Sequence, residues 1–156
     1  MRKWMFCAHV LAAIPILSFG GLGGEDVGKL HPVQVVTVSA RNGGVQLETD
    51  TEDLGIGDDV PQAISNMNDT SPSKVFLDTA DYLLVDPGAE IWLPQLQQYL
   101  RPSCNLCYVT ADMDPKLAGK YLQNHEPKLT LTQYEAGERR LPYLITEEGR
   151  MKLVRP

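Results

Sequence analysis

The chain has 156 residues, with 20 acidic side chains against 14 basic ones and a formal charge of −6. That length suits one domain with a real hydrophobic core and no need of staples. The acidic balance argues against binding a phosphate backbone, which takes clustered Lys and Arg, and against adhesion to anionic lipid through a polybasic patch. No nucleic-acid partner is expected.

Residues 1–24 carry the features of an export leader. Arg2 and Lys3 give a basic start, Trp4 to Phe19 contains no charged residue, and Gly20, Gly21, Gly23 and Gly24 supply a small-residue exit. The apolar run is shorter than the ~20 residues a spanning helix needs, and His9 and Pro15 weaken it further. The expected organisation is a signal peptide or membrane leader over 1–24 and a single domain over 25–156. Loss of Arg2 and Lys3 with the leader leaves 12 basic residues against 20 acidic ones, a charge of −8. The domain is thus expected outside the cytoplasm, exported or tethered, touching membrane only through an uncleaved leader. Cys7 lies inside the leader and not directly after its apolar run, so the sequence does not support a lipid anchor.

After a polar lead-in, Glu25 to Leu30, the β-branched run Pro32 to Val38 predicts a buried strand. Arg41-Asn42-Gly43-Gly44 is a tight-turn signal, since Asn-Gly and Gly-Gly accept positive φ. Val45 to Thr49 alternates apolar and polar residues as a partner strand should. Asp50 to Asp59 predicts an acidic loop, and Asp58 or Asp59 can cap a helix opening at Val60-Pro61. Val60, Ala63, Ile64 and Met67 give that helix an apolar face, and Asn66 to Ser73 its exit. Val75 to Leu77 reads as a strand or a helical turn, and Tyr82 to Val85 as a strand.

A helix from about Ala89 to Leu100 is expected, burying Ile91, Trp92, Leu93, Leu96, Tyr99 and Leu100 and ending at Arg101-Pro102. Asn105 to Ala111 predicts a strand, and Pro115 to Asn124 a short helix with Leu117, Ala118, Tyr121 and Leu122 inward. Leu129 to Tyr134 fits neither period clearly. Leu141 to Thr146 and Arg150 to Val154 flank Glu147-Glu148-Gly149 as a second hairpin. The order predicts an α/β (α+β) domain: one mixed sheet with helices packed on it, bounded by N- and C-terminal hairpins.

Cys104-Asn105-Leu106-Cys107 is the one evident candidate for chemistry. Redox pairs of this spacing sit where a strand hands over to a helix, whose N-terminus stabilises the thiolate. Here a helix precedes the pair and a strand follows. A three-residue offset along a strand also sends the two sulfurs to opposite faces. Ordinary packing, a disulfide and a redox pair are the readings of Cys104 and Cys107. A zinc site would need His31 and His125 to join them. The acids Asp50, Glu52, Asp53, Asp58 and Asp59 lack the spacing of a calcium loop. Gly55-Ile56-Gly57 lacks the third glycine of a phosphate loop, and Asp58-Asp59 would repel an anion there. Neither Glu147-Glu148 nor Ser71 and Ser73 forms a catalytic pattern. Asn68-Asp69-Thr70 fits a glycosylation acceptor. No enzyme activity, metal or cofactor is expected.

The order of segments resembles the N-terminal domain of the C-subunit lipoproteins of bacterial spore germinant receptors. The matching stretches are Gly55-Ile56-Gly57-Asp58-Asp59-Val60-Pro61-Gln62-Ala63, opening a helix, and Ser71-Pro72-Ser73-Lys74-Val75-Phe76, leading to the strand at Tyr82 to Val85. Ile91 to Leu100, Leu106 to Ala111 and the Leu141 to Val154 hairpin continue the order, so the likeness covers 25–156. Asp78-Thr79-Ala80-Asp81 stands where that family carries a Gly-His pair, and the family's lipid-bearing cysteine has no counterpart. The resemblance implies a non-enzymatic binding or assembly domain linked to germination, with receptor subunits of the envelope as partners. The alternative is an exported thiol–disulfide protein using Cys104 and Cys107.

Overall fold

The computed structural model describes residues 31–110 and 113–155. The leader and the lead-in, 1–30, lie outside the described residues. The strands are β1 (His31–Pro32), β2 (Val35–Arg41), β3 (Gly44–Thr49), β4 (Leu54–Gly57), β5 (Val75–Phe76), β6 (Tyr82–Val85), β7 (Asn105–Val109), β8 (Tyr143–Glu147) and β9 (Arg150–Val154). The helices are α1 (Val60–Thr70), α2 (Leu93–Leu96), α3 (Pro115–Leu122) and α4 (Leu131–Glu135). Seven strands form one mixed sheet in the order β4-β3-β2-β6-β7-β8-β9, and β1 pairs separately with β5. The domain is therefore α+β, with a parallel centre of β2, β6, β7 and β8 and antiparallel wings on both sides.

The first hairpin forms as its turn residues dictate. Asn42 and Gly43 have φ of 52° and 84°, and Arg41 pairs with Gly44. Two positive φ values match the right-handed twist of the strands they join. Asp59 caps α1 by accepting from the Gln62 amide at 2.9 Å, with Pro61 in the first turn. Asp114 caps α3 in the same way.

Two hydrophobic layers sandwich the sheet. Val36, Val38, Leu47, Leu83, Val85 and Leu106 meet Val60, Ala63 and Met67 of α1 and Leu93 and Leu96 of α2 on one face. Val35, Leu84, Cys107, Val109 and Leu144 meet Ala118 and Leu122 of α3 on the other. Alternation along β2, β6 and β7 makes this possible, because successive side chains point to opposite faces.

Several expectations need correction. The run at Pro32 breaks at Val33-Gln34, where Asp50 Oδ1 accepts from the amides of Gln34 and Val35 and opens a new strand. The stretch Asp50 to Asp59 is not all loop; Leu54–Gly57 pairs with β3 as an edge strand. The helix at Ala89–Leu100 is a 3-10 turn, Ala89–Trp92, followed by the four-residue α2. Pro94 in the first turn of α2 forbids a continuous helix, since its ring lacks the amide hydrogen. Ile91 is consequently 68% exposed rather than buried. Leu117 likewise faces outward on α3 at 51% exposure. Val75 to Leu77 is both alternatives at once, a two-residue strand followed by a 3-10 turn. The unassigned stretch Leu129 to Tyr134 becomes α4, started by a reciprocal cap between Thr130 and Gln133.

Both sheet edges are guarded. On β4, the Ile56 amide donates to Asn66 Oδ1 of α1 at 3.0 Å. On β9, the Leu153 amide donates to the Tyr121 hydroxyl of α3 at 3.2 Å. Edge amides occupied by side chains template further strands less readily.

Candidate functional site

Cys104 and Cys107 are both free and buried, and they belong to different layers. Cys104 lies with Leu96, Leu106 and Leu131, whereas Cys107 lies with Leu84, Ala118 and Leu144. The chain enters β7 from α2 and its turn, so the pair does not stand where a strand hands over to a helix. Burial pushes both thiols up to about 12, with Arg101 pulling Cys104 partly back and Cys104 adding to the rise at Cys107. Both sulfurs therefore stay protonated across the ordinary pH range.

A raised thiol pKa holds the reactive thiolate back until the solution pH nears it. At pH 8, labelling of the native chain by a thiol reagent is expected to be on the order of a thousandfold slower than in denaturant. The rate should climb with pH toward about 12. The sign for stability is the same: the unfolded chain loses these protons first, so their contribution is complete below about pH 9 and fades as pH rises through about 12. Fast single-site labelling at pH 7 would contradict this.

The remaining sequence candidates serve local structure. Asp53 is 6% exposed and accepts from Thr51 Oγ1 at 2.6 Å and from the Ser71 hydroxyl, tying the β3–β4 turn to the end of α1. His125 stacks on Tyr121 at 4.1 Å, and His31 stands in β1. Asn68 donates to the Ile64 carbonyl and accepts from the Val75 amide, so its amide is occupied by the fold. Glu147 pairs with Lys152 at 3.3 Å across the last hairpin. Among the described residues no group of three His, Cys, Asp or Glu side chains is placed to hold a metal ion.

A surface that the sequence did not single out lies on the β7–β9 wing. Tyr108, Tyr143 and Val154 are successive cross-strand partners, which puts them side by side on one face. The rings of Tyr108 and Tyr143 lie 4.9 Å apart at 32°. Burial and a hydrogen bond to Glu90 push the Tyr108 phenol up, so it remains a neutral donor. Next to Glu90, Ile91 projects outward. Tyr134 of α4 packs against the same layer as Tyr108 and carries the Arg139 guanidinium 4.1 Å above its ring. Tyr143 is 45% and Val154 38% exposed.

The wing also differs in charge from the body. Residues 139–156 hold five basic side chains and two acidic ones, whereas 31–138 hold six basic and sixteen acidic. A partly exposed ladder of two tyrosines and a valine on a basic wing of an acidic domain is a surface of the kind enriched at protein contacts. The available signal was the hairpin expected over Leu141 to Val154, but only register identifies the neighbours of Tyr143.

No protein-family model, curated protein or solved structure matches this chain. Among the described residues no helix is long and apolar enough to cross a membrane.

Proposed function

We propose that the chain is an exported or membrane-associated, non-enzymatic domain that binds a partner protein of the cell envelope through its β7–β9 wing. The observation that carries this reading is the Tyr108–Tyr143–Val154 ladder, with Tyr143 and Val154 exposed, on a wing whose sequence is rich in basic residues. Tyrosine supplies contact area and hydrogen bonding at low conformational cost, and tyrosine and arginine are both enriched among interface hot spots. The partner would present an acidic, apolar segment. The resemblance to the C-subunit lipoproteins assigns that partner to the membrane subunits of a spore germinant receptor.

The test is coexpression with the two membrane subunits of such a receptor and recovery from detergent extract. The native chain should co-purify, and Tyr143→Asp should lower recovery at least about tenfold, a change worth roughly 1.4 kcal/mol. Tyr143→Ser, which removes the ring without adding charge, should give an intermediate loss with an unchanged thermal midpoint. Failure of the native chain to co-purify, or equal recovery of the two variants, would overturn the reading.

A further inference from the structure

Among the described residues, the helices leave one open stretch on each face of the sheet. On the face that carries α1 and α2, Tyr143 of β8 and Val154 of β9 stay exposed. On the opposite face, α3 lies over Val35, Leu84 and Cys107, and its Tyr121 hydroxyl reaches Leu153 of β9. That arrangement leaves the far edge bare, with Leu54 and Ile56 of β4 43% and 55% exposed. Gly55 between them faces α1, so both side chains point to the α3 side, beside their cross-strand partners Glu48 and Gln46. Single exposed apolar side chains are ordinary, whereas two side by side on one edge strand begin a patch.

The two open stretches lie on opposite faces and at opposite ends of the strand order β4-β3-β2-β6-β7-β8-β9. Two copies can therefore overlap like lapped boards. The α3 side of β3–β4 in one copy then lies on the α1 side of β8–β9 in the next.

Charge selects this pairing over the alternatives. Alternation along β9 sets Arg150 and Lys152 on the same side as Val154, and residues 139–156 hold five basic side chains against two acidic ones. Around Leu54 and Ile56 the chain supplies Glu48, Glu52 and Asp58, with Lys116 paired to Glu52 and Arg41 at the same end of the sheet. The body from 31 to 138 has ten more acids than bases. Pairing like wings would set base on base or acid on acid, which complementary interfaces avoid. Strand addition is blocked as well, because the Ile56 and Leu153 amides are occupied by side chains. The contact is thus face on face.

We propose that this domain associates head to tail with copies of itself, the β8–β9 face of one copy seated on Leu54 and Ile56 of the next. The inference rests on the reading of the β7–β9 wing as a docking surface and gives that wing a second occupant. Because the joint uses unlike patches, every open assembly keeps one free basic wing for the envelope partner.

Sedimentation velocity of the full chain is the test. Its weight-average mass should rise with concentration past the dimer, and fall to the monomer when salt is raised from about 0.05 to about 0.5 M. Ile56→Lys and Tyr143→Asp, at opposite ends, should each weaken association at least about tenfold without moving the thermal midpoint. Mixed in equal amounts, the two should give a dimer and nothing larger, since one intact pair of patches remains. Glu48→Lys repeats the β3–β4 arm by charge reversal alone. Recovery of the receptor subunits by Ile56→Lys should match that by the native chain, whereas the mixing experiment needs no receptor subunit, so the two readings fail separately. A native chain that stays monomeric, equal association of native and variant chains, or variants that do not complement each other would each overturn the proposal.

Discussion

Replacing Gly55 by alanine is expected to destabilise the domain by about 3 kcal/mol, read as a fall of at least about 1 M in the urea midpoint. A Cβ built at Gly55 would stand 2.2 Å from the Ala63 carbonyl oxygen of α1. Backbone cannot swing aside as a side chain can, so β4 and α1 must separate. Separation opens the contact with Met67, a fully buried residue of that layer, and strains the Asn66 cap on the β4 edge. Gly119→Ala is the contrasting case. Its added methyl meets only Val35 Cγ2, at 2.7 Å, and should cost clearly less. Equal midpoints for Gly55→Ala and the native chain would refute the close approach of β4 to α1.

Asp53→Ala should cost about 2–3 kcal/mol, because hydrogen bonds to a charged group are worth more than neutral ones and their donors would remain buried. Thr49 Oγ1 reaches the same carboxylate at 3.4 Å and also accepts from the Asp53 amide, so one side chain organises the whole turn. Asp53→Asn keeps an acceptor oxygen and should cost about 1 kcal/mol. Thermal unfolding of both variants checks the ranking. The roles implied for calcium and for hydroxyl donors are separable: millimolar calcium should leave the native midpoint unmoved, since three hydroxyls already occupy the carboxylate. A calcium-dependent rise would show that Asp53 serves an ion instead.

Much of the fold was legible along the chain. Asn42-Gly43 specified its hairpin because two successive positive φ values are available cheaply to few residue pairs. Asp59-Val60-Pro61 announced α1, because a side-chain acceptor and a preset φ solve the problem of unpaired amides at a helix start. The opposite orientation of Cys104 and Cys107 followed from the period of a strand, and the two thiols do lie in different layers. The expected long helix after Ala89 does not form, because apolar spacing carries no trace of the local cost of Pro94.

Other features were invisible for a different reason. The strand at Leu54–Gly57 is poor in side chains of strand preference, and it exists because α1 needs a smooth backbone against which to lie. The Tyr108–Tyr143–Val154 ladder joins residues far apart in sequence through register alone. By itself the sequence determined local matters: turns, caps, strand alternation and an acidic single domain. Tertiary structure decided which faces stay open. Those outcomes depend on where each helix lands on the sheet, and that is settled by the burial of distant apolar residues together rather than by any neighbour along the chain.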